Sequence, residues 1–198
     1  SNIRKKQAGG SAANSVVALA QLGGTGFYSC KVALDVDGTF YRDDLVEQGV
    51  ATNLSDAKLD EGVTGKCLVM ITPDAERTMS TFLGISSNLS LSELNLDQLE
   101  NSHYLFLEGY LVSSPSGFEA IKEAKKRAKT AGVKTALTFS DPSMVKYFGE
   151  QMHEVVGEGV DLLFCNEEEA LLYAGTEDLT QAIEKLKKIT KSCVLTLG

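Results

Sequence analysis

The chain is poor in the residues that most hydrolytic and metal sites use. It has only two histidines, and His103 begins a predicted strand while His153 lies within a predicted helix. A histidine-based catalytic triad is therefore not expected. The cysteines lie apart, in apolar runs and without metal-ligand spacing, which predicts reduced core thiols. They are Cys30, Cys67, Cys165 and Cys193.

Positive charge is also scarce. Nineteen Lys and Arg face 27 Asp and Glu, for a net charge of −8. This balance argues against nucleic acid or an anionic membrane as the main partner. It leaves room for an anionic nucleotide, because local donors and a metal ion can override the overall field. No apolar run is long enough for a transmembrane helix and no signal peptide is visible, so we expect a cytoplasmic protein.

The most informative stretch is Ala8-Gly9-Gly10-Ser11-Ala12-Ala13-Asn14, which precedes the apolar run Ser15–Leu22. Two glycines allow a tight turn and close approach to a ligand. Ser11 is predicted to be the N-cap of a helix that closes at Gly23-Gly24. Free N–H groups at a helix start suit a hydroxyl-rich or anionic ligand, and the Asn14 amide can both donate and accept. An ordinary glycine turn before a capped helix has the same spacing.

Gly9-Gly10-Ser11-x-x-Asn14, followed by Gly23-Gly24 and Asp37-Gly38, resembles the amino-terminal signature of the ribokinase/PfkB family of carbohydrate and nucleoside kinases. The form with Gly-Gly-Ser-x-x-Asn is most similar to the adenosine-kinase-like branch. The resemblance implies that Gly9, Gly10, Ser11 and Asn14 bind the hydroxyls of a ribose or another sugar. It also implies ATP and Mg²⁺ as cofactors and a small-molecule nucleoside or sugar as substrate.

The order of the predicted elements indicates an α/β fold. From His103 onward, strands recur at about the 30-residue spacing of right-handed βαβ units. We therefore expect a ribokinase-like, mainly parallel sheet with helices on both faces. Residues 62–72 and 77–83 flank a Pro-Asp turn and predict a β-hairpin. Within a single incomplete domain over residues 1–198, residues from about 50 to 84 are predicted to form a small β lid, an arrangement that the resemblance implies.

A second interpretation starts from Asp35-Val36-Asp37-Gly38-Thr39, which follows the mostly apolar stretch 25–34. Two aspartates in a turn after a strand match the nucleophile motif of haloacid-dehalogenase-type phosphatases. There one carboxylate attacks phosphorus, the other acts as acid and base, and Mg²⁺ bridges the two. No later acidic metal motif of the Gly-Asp-x-x-x-Asp kind is present. The kinase interpretation places the opening of a helix at the same position.

Polar residues gather where the later predicted strands end. In open parallel sheets, ligands bind beyond the carboxyl ends of the strands. Those ends carry a convergent set of carboxylates, an amide and hydroxyls. The set comprises Glu108-Gly109, Ser140-Asp141-Pro142, Asn166 through Glu169, and Thr196-Leu197-Gly198.

The resemblance gives these strand ends roles. Asn166-x-x-Glu169 matches the family's Asn-x-x-Glu motif, which implies that Glu169 helps to position Mg²⁺, through water, beside the phosphates of ATP. Thr196 and Gly198 match the start of the nucleotide loop, and Glu108 matches an acid that borders the substrate site. An acidic helix start, favoured by the helix dipole, would look the same at Asn166–Glu169. An exposed strand-end acid would look the same at Glu108.

The resemblance places the catalytic base and its anion hole beyond Gly198, so no catalytic residue is expected within the chain. The chain opens directly before the glycine turn and closes on a predicted core strand, which indicates a fragment. A non-catalytic sugar- or nucleoside-binding relative stays open as an alternative. The identity of the sugar and the oligomeric state are also open.

Overall fold

A computed structural model describes residues 6–54, 59–74 and 77–197. The chain divides into two compact units, and the boundary along the sequence lies between Glu93 and Leu94. Each unit has its own elements and its own buried residues. Among the described residues, no helix is both long and apolar enough to cross a membrane.

The first unit begins with helix α1 (Ser11–Gln21), strand β1 (Phe27–Tyr28), helix α2 (Val36–Glu47) and strand β2 (Ala51–Thr52). The two short strands pair in parallel. Apolar side chains of α1 pack with Leu45 and Val50, which are both buried. This apolar cluster therefore joins α1 to α2 and to the residue before β2.

An antiparallel hairpin follows, made of β3 (Lys66–Ile71) and β4 (Arg77–Phe82). Six residue pairs join the strands, from Lys66 opposite Phe82 to Ile71 opposite Arg77. This confirms the predicted hairpin. Ala51 and Thr52 pair with β1 and not with the hairpin. Short 3-10 helices at Gly84–Asn88 and Leu91–Glu93 complete the unit.

The second unit contains the main sheet. Its elements run in the order α3 (Leu96–Glu100), β5 (Tyr104–Glu108), a 3-10 helix (Gly109–Ser113), α4 (Pro115–Ala131), β6 (Lys134–Thr138), α5 (Pro142–Tyr147), α6 (Gly149–Val156), β7 (Val160–Asn166), α7 (Glu167–Ala174), α8 (Leu179–Leu186) and β8 (Thr190–Thr196). The four strands are parallel and lie in the order β5-β6-β7-β8. The predicted α/β class with a parallel sheet is confirmed.

Buried apolar side chains explain why this sheet forms. Leu107, Leu137 and Leu163 come from three successive strands and are 0–4% exposed. Ile121 and Ala124 on α4 and Val155 on α6 join the same core. Helices covering parallel strands bury such runs almost completely. The strands therefore run side by side, and their carboxyl ends lie along one edge of the sheet.

Several details differ from the sequence prediction. Thr25–Leu34 contributes only the two-residue strand β1 and an isolated bridge at Ala33. The predicted helix that contains His153 is α6 alone, because the helical backbone breaks at Phe148 between α5 and α6. Cys67 and Cys193 are exposed, so only Cys30 and Cys165 are core thiols.

One lysine of α4 has a structural role. Lys125 is half-buried and its Nζ donates to the carbonyls of Val155 and Val156, at 2.7 and 2.5 Å. Burial lowers the pKa of this ammonium group. Cations are favoured at helix C-termini, so Lys125 stabilises the end of α6. It is not a freely solvated charge.

Candidate functional site

The glycine turn of the first unit enters α1 through Gly10, whose φ of 122° puts it in a region that side chains disfavour. Gly10 is the N-cap and Ser11 is the first helical residue, so the predicted N-cap role of Ser11 was wrong. The helix starts after Gly10 because glycine alone takes this φ without strain. The first N–H groups of the helix are therefore left without a side-chain cap.

Helix α2 holds this turn from one side. The Tyr41 hydroxyl donates to the Gly9 carbonyl at 3.0 Å, and the Ala8 N–H donates to Asp44 Oδ2 at 3.1 Å. Burial raises the pKa of Tyr41 to about 12, so its phenol stays protonated and can donate. Sequence reasoning missed both residues, since neither belongs to a motif. The spacing from Tyr41 to Asp44 places both on one helix face.

The side chains predicted to bind sugar share one surface. Ser11 and Asn14 lie three residues apart on α1 and therefore on the same face. Both are exposed, as are Gly9 and Gly10. The Asn14 N–H makes the first helical bond, to the Gly10 carbonyl at 2.9 Å, and the residue is exposed at the surface of the helix. Amide, hydroxyl and free N–H groups are thus presented together.

The Asp35 carboxylate is used to hold the fold of the first unit. It caps α2 by accepting from the Gly38 N–H at 2.7 Å, and it accepts from the Thr64 N–H and hydroxyl at 2.9 and 2.6 Å. These bonds lower its pKa against the opposing effect of burial. A carboxylate that accepts three hydrogen bonds from the protein stabilises the local fold. The phosphatase interpretation of Asp35 is therefore not supported.

Asp37 has a different role, since its carboxylate pairs with two lysines. Lys6 Nζ lies 2.5 Å from Oδ1, and Lys66 pairs with Oδ2. These hydrogen bonds lower the pKa of Asp37. Lys6 leads into the glycine turn and Lys66 opens the hairpin. The segment before the turn and the root of the hairpin thus meet at one side chain.

In the second unit, Asn166 and Glu169 bond to each other at the junction of β7 and α7. The Glu169 N–H donates to Asn166 Oδ1 at 2.8 Å, and the Asn166 N–H donates to Glu169 Oε2 at 2.9 Å. This is a reciprocal capping box. Glu169 is 4% exposed, and burial raises its pKa, with the charges of Asp141 and Glu168 adding to the shift and the Asn166 N–H opposing it.

Thr196 ends β8 directly opposite Asn166, so these two predicted nucleotide residues are register partners. Thr196 is exposed. Gly198 lies outside the described residues. Within the described residues, no group of three His, Cys, Asp or Glu side chains could hold a metal ion. Mg²⁺ commonly keeps several waters and takes only one or two carboxylates, so Glu169 and Asp141 fit a water-mediated site but not a full cage.

Glu108 ends β5 and is half-buried. Its Oε2 accepts from the Ser140 hydroxyl at 3.0 Å. Burial raises the pKa of the neighbouring Tyr110, and the charges of Asp141, Glu108 and Glu169 add to the rise. The phenol and the three carboxylates therefore lie near one edge of the sheet, as expected for residues that follow parallel strands. Sequence reasoning found the carboxylates but missed Tyr110.

The fold is thus an α/β fold with carboxylates, an amide and hydroxyls at the carboxyl edge of a parallel sheet, which is where ligands bind in such sheets. Residues 3–198 match the family model described as pfkB family carbohydrate kinase. Because the match covers almost the whole chain, the chain belongs to the pfkB family.

Solved structures support this assignment. An adenosine kinase from Sinorhizobium meliloti is 35% identical to this chain, with a TM-score of 0.89. The match covers 96% of this chain and 58% of the adenosine kinase. A probable sugar kinase from Rhizobium etli CFN 42 is 30% identical with a TM-score of 0.88, again over 96% of this chain and 57% of that one. The ribokinase-like fold is thereby confirmed.

A fructokinase from Vibrio alginolyticus is 25% identical over 193 residues, which are 94% of this chain and 62% of the fructokinase. The chain thus spans roughly three fifths of each of these three relatives. The relatives differ in the acceptor that their names give.

Proposed function

We propose that the full-length protein transfers the γ-phosphoryl group of ATP to a hydroxyl of a nucleoside or sugar, with an adenosine-like nucleoside as acceptor. The observation that carries this proposal is the exposed surface formed by Gly9, Gly10, Ser11 and Asn14 at the uncapped start of α1. Membership of a carbohydrate kinase family supports phosphoryl transfer. The 35% identity to an adenosine kinase supports the choice of acceptor.

The chemistry of the surface suits vicinal hydroxyls. A hydroxyl both donates and accepts, so a pair of them needs partners of both kinds. The Asn14 amide supplies a donor and an acceptor, the Ser11 hydroxyl does the same, and the free N–H groups of the helix start donate. No charge is needed, which fits a neutral acceptor. We therefore assign substrate binding to these residues. As the family resemblance implies, we also propose that Glu108 accepts a hydrogen bond from a substrate hydroxyl.

For the nucleotide we assign Asn166, Glu169 and Thr196, with Gly198 as an expectation outside the described residues. Mg²⁺ would supply charge neutralisation along the phosphate chain. Glu169 and Asp141 would hold its waters, since both follow strands of the parallel sheet and lie at its carboxyl edge. Asn166 and Thr196 stand side by side in register, where they can donate to phosphate oxygens.

The hairpin is proposed as the lid. Its side chains are apolar on both faces, and Leu68, Ile71 and Met79 are 59–69% exposed. A two-stranded hairpin gains little stability by itself, so such side chains are expected to cover another surface for part of the cycle. The ion pair from Lys66 to Asp37, shared with Lys6, ties the hairpin root to the segment that leads into the glycine turn. Closure would exclude water from the acceptor.

The test is an assay of ADP formation by the full-length protein with ATP and Mg²⁺. Adenosine, ribose and fructose are supplied separately as acceptors. We expect acceptor-dependent ADP formation with the lowest KM for adenosine. Adenosine binding measured by calorimetry without any ADP formation would instead identify a non-catalytic binding relative. No binding and no turnover with any acceptor would refute the proposal.

Asn14→Ala tests the surface itself. Loss of one hydrogen bond to a neutral hydroxyl costs about 0.5–1.5 kcal/mol, so the acceptor KM should rise by roughly 2- to 12-fold and kcat should fall. The KM for ATP should be nearly unchanged. Ser15→Ala is the matched control, because its hydroxyl donates to the Ser11 carbonyl at 3.2 Å within the helix. An unchanged acceptor KM and kcat in Asn14→Ala would exclude Asn14 from the site.

A further inference from the structure

Ser140 has an unusual backbone. Its φ of 73° makes it the one non-glycine residue with positive φ in the described part of the chain. Glycine takes this conformation freely, whereas other residues with a Cβ, apart from Asn and Asp, pay for it. Residues kept in such conformations cluster at functional sites. A serine here therefore calls for a role of its hydroxyl that glycine could not fill.

The hydroxyl has a clear hydrogen-bond acceptor. Ser140 Oγ donates to Glu108 Oε2 at 3.0 Å, and its contact with the Thr138 carbonyl is longer, at 3.5 Å. The turn around it is held separately. The Ser140 N–H donates to Thr138 Oγ1 at 3.1 Å, and the Asp141 N–H donates to the Phe139 carbonyl at 2.9 Å. The side chain of Ser140 is therefore not what holds the turn.

Gly109 explains how Glu108 reaches this hydroxyl. A Cβ at position 109 would lie 2.5 Å from the Phe139 carbonyl oxygen, closer than any real contact. The end of β5 thus approaches the end of β6 more closely than a side chain would allow. Glu108 and Thr138 are register partners, and the close approach puts Glu108 beside the residue that follows Phe139.

The surroundings make such a donor useful. The charges of Asp141 and Glu169 act on the Tyr110 phenol together with that of Glu108. Like charges repel, so the Glu108 carboxylate would tend to turn away from this edge of the sheet. A hydroxyl hydrogen bond to a charged oxygen is stronger than one between neutral groups, and it fixes the direction of the carboxylate.

We propose that Ser140 is a positioning residue that holds the Glu108 carboxylate in the orientation that accepts a hydrogen bond from the acceptor hydroxyl. This inference rests on the proposed function, since Glu108 must contact the acceptor. It explains why this position holds a serine, although glycine would adopt the positive φ without strain. Ser140 itself need not touch the acceptor.

Three substitutions in the full-length protein test this role, with adenosine as the probe. Ser140→Gly removes the hydroxyl and relieves the strained φ, so the melting temperature should stay the same or rise. Ser140→Asn and Ser140→Asp have the same shape and both tolerate positive φ. Asn keeps a donor, whereas Asp adds a charge that repels Glu108. Ser102→Ala is the control, because its hydroxyl bonds to the Gln98 carbonyl at 2.6 Å before β5 begins.

We expect kcat/KM for adenosine to fall by roughly tenfold in Ser140→Gly, the scale of one hydrogen bond to a charged group. The kcat/KM of Ser140→Asp should be lower still, whereas that of Ser140→Asn should lie between the values of Ser140→Gly and the wild type. KM for ATP should not move. In Glu108→Ala, adding Ser140→Gly should cost little more, because the two residues act as one unit.

The inference is overturned if Ser140→Gly keeps the wild-type kcat/KM. It is also overturned if the double variant of Ser140→Gly and Glu108→Ala loses kcat/KM by the full product of the two single losses. It is also overturned if Glu108→Ala leaves the acceptor KM unchanged, because Ser140 then has no binding group to position. The last result leaves the proposed function intact as long as Asn14→Ala still raises the acceptor KM. Failure of the wild-type protein to use or bind any acceptor would instead remove the proposed function itself.

Discussion

Glu169 has a structural and a proposed catalytic role that one pair of substitutions separates. Its Oε2 accepts from the Asn166 N–H at 2.9 Å as half of the capping box. Glu169→Gln keeps the shape and an oxygen acceptor, so the capping box should survive. Glu169→Ala removes the acceptor and leaves the Asn166 N–H unpaired. Only the proposed Mg²⁺ role needs the negative charge, so it should be lost in both variants.

The structure sets the size of each effect. An unpaired, partly buried N–H costs about 1–3 kcal/mol, so Glu169→Ala should lose that much free energy of unfolding. Glu169→Gln should stay within about 1 kcal/mol of the wild type, because Gln is also a natural capping-box residue. In activity the two variants should behave alike. Both variants should need more Mg²⁺ and show a lower kcat, while adenosine affinity changes little.

The pH dependence gives an independent check. Because burial raises the pKa of Glu169 above its ordinary value of 4.5, the folded state holds this proton more tightly than the unfolded state. Its contribution to stability is therefore fully present below pH 4.5 and is lost as pH rises through the folded pKa. Relative to Glu169→Gln, the wild type should lose stability as pH rises above 4.5.

Asp178 is the matched control, because it caps α8 by accepting from the Thr180 N–H at 2.8 Å and its pKa is lowered by bonds from the Gln181 and Thr180 N–H groups. The pH dependence of stability at Asp178 should therefore have the opposite sign to that at Glu169. Asp178 contributes stability above its ordinary pKa, and this is lost as pH falls through the lowered value. Relative to Asp178→Asn, the wild type should thus gain stability as pH rises.

The assays are urea unfolding from pH 3 to pH 8, and Mg²⁺ titration of ADP formation by the full-length protein. A Glu169→Gln variant as unstable as Glu169→Ala would refute the capping argument. A normal Mg²⁺ titration in Glu169→Gln would leave Glu169 with its role in the helix alone. Asp178→Asn should shift stability without any change in the Mg²⁺ titration.

Two further predictions concern the first unit. Asp35→Asn puts an amide donor where the carboxylate accepts from Gly38 and Thr64, so we expect a loss of about 1–3 kcal/mol in urea unfolding. We also expect no Mg²⁺-dependent phosphoester hydrolysis from the wild type; robust hydrolysis that disappears in Asp35→Asn would establish the phosphatase. Gly38→Ala would put a Cβ 2.0 Å from the Ala33 carbonyl oxygen, so it should destabilise by about 1–3 kcal/mol or more. Gly149→Ala, whose Cβ would meet no atom within 4 Å, should not, and equal stability of the two variants would refute the clash.

The sequence was sufficient for the fold class and for the residues at the strand ends. Strand spacing predicted the parallel sheet because βαβ units repeat at nearly constant length. Once the strands are parallel, their ends must share an edge, so Glu108, Asp141 and Asn166 could be grouped without coordinates. The glycine pair at Gly9-Gly10 likewise marked its turn, because few other residues reach the φ found at Gly10.

Tertiary structure alone decided which partners those side chains have. Nothing local in the sequence shows that Asp35 meets Thr64, 29 residues away, or that Ser140 meets Glu108, 32 residues away. The same holds for the Tyr41 hydroxyl, which donates to the Gly9 carbonyl from 32 residues further along the chain. Propensity and periodicity describe neighbours along the chain. Hydrogen bonds between distant segments depend on packing, and packing is set by the whole fold.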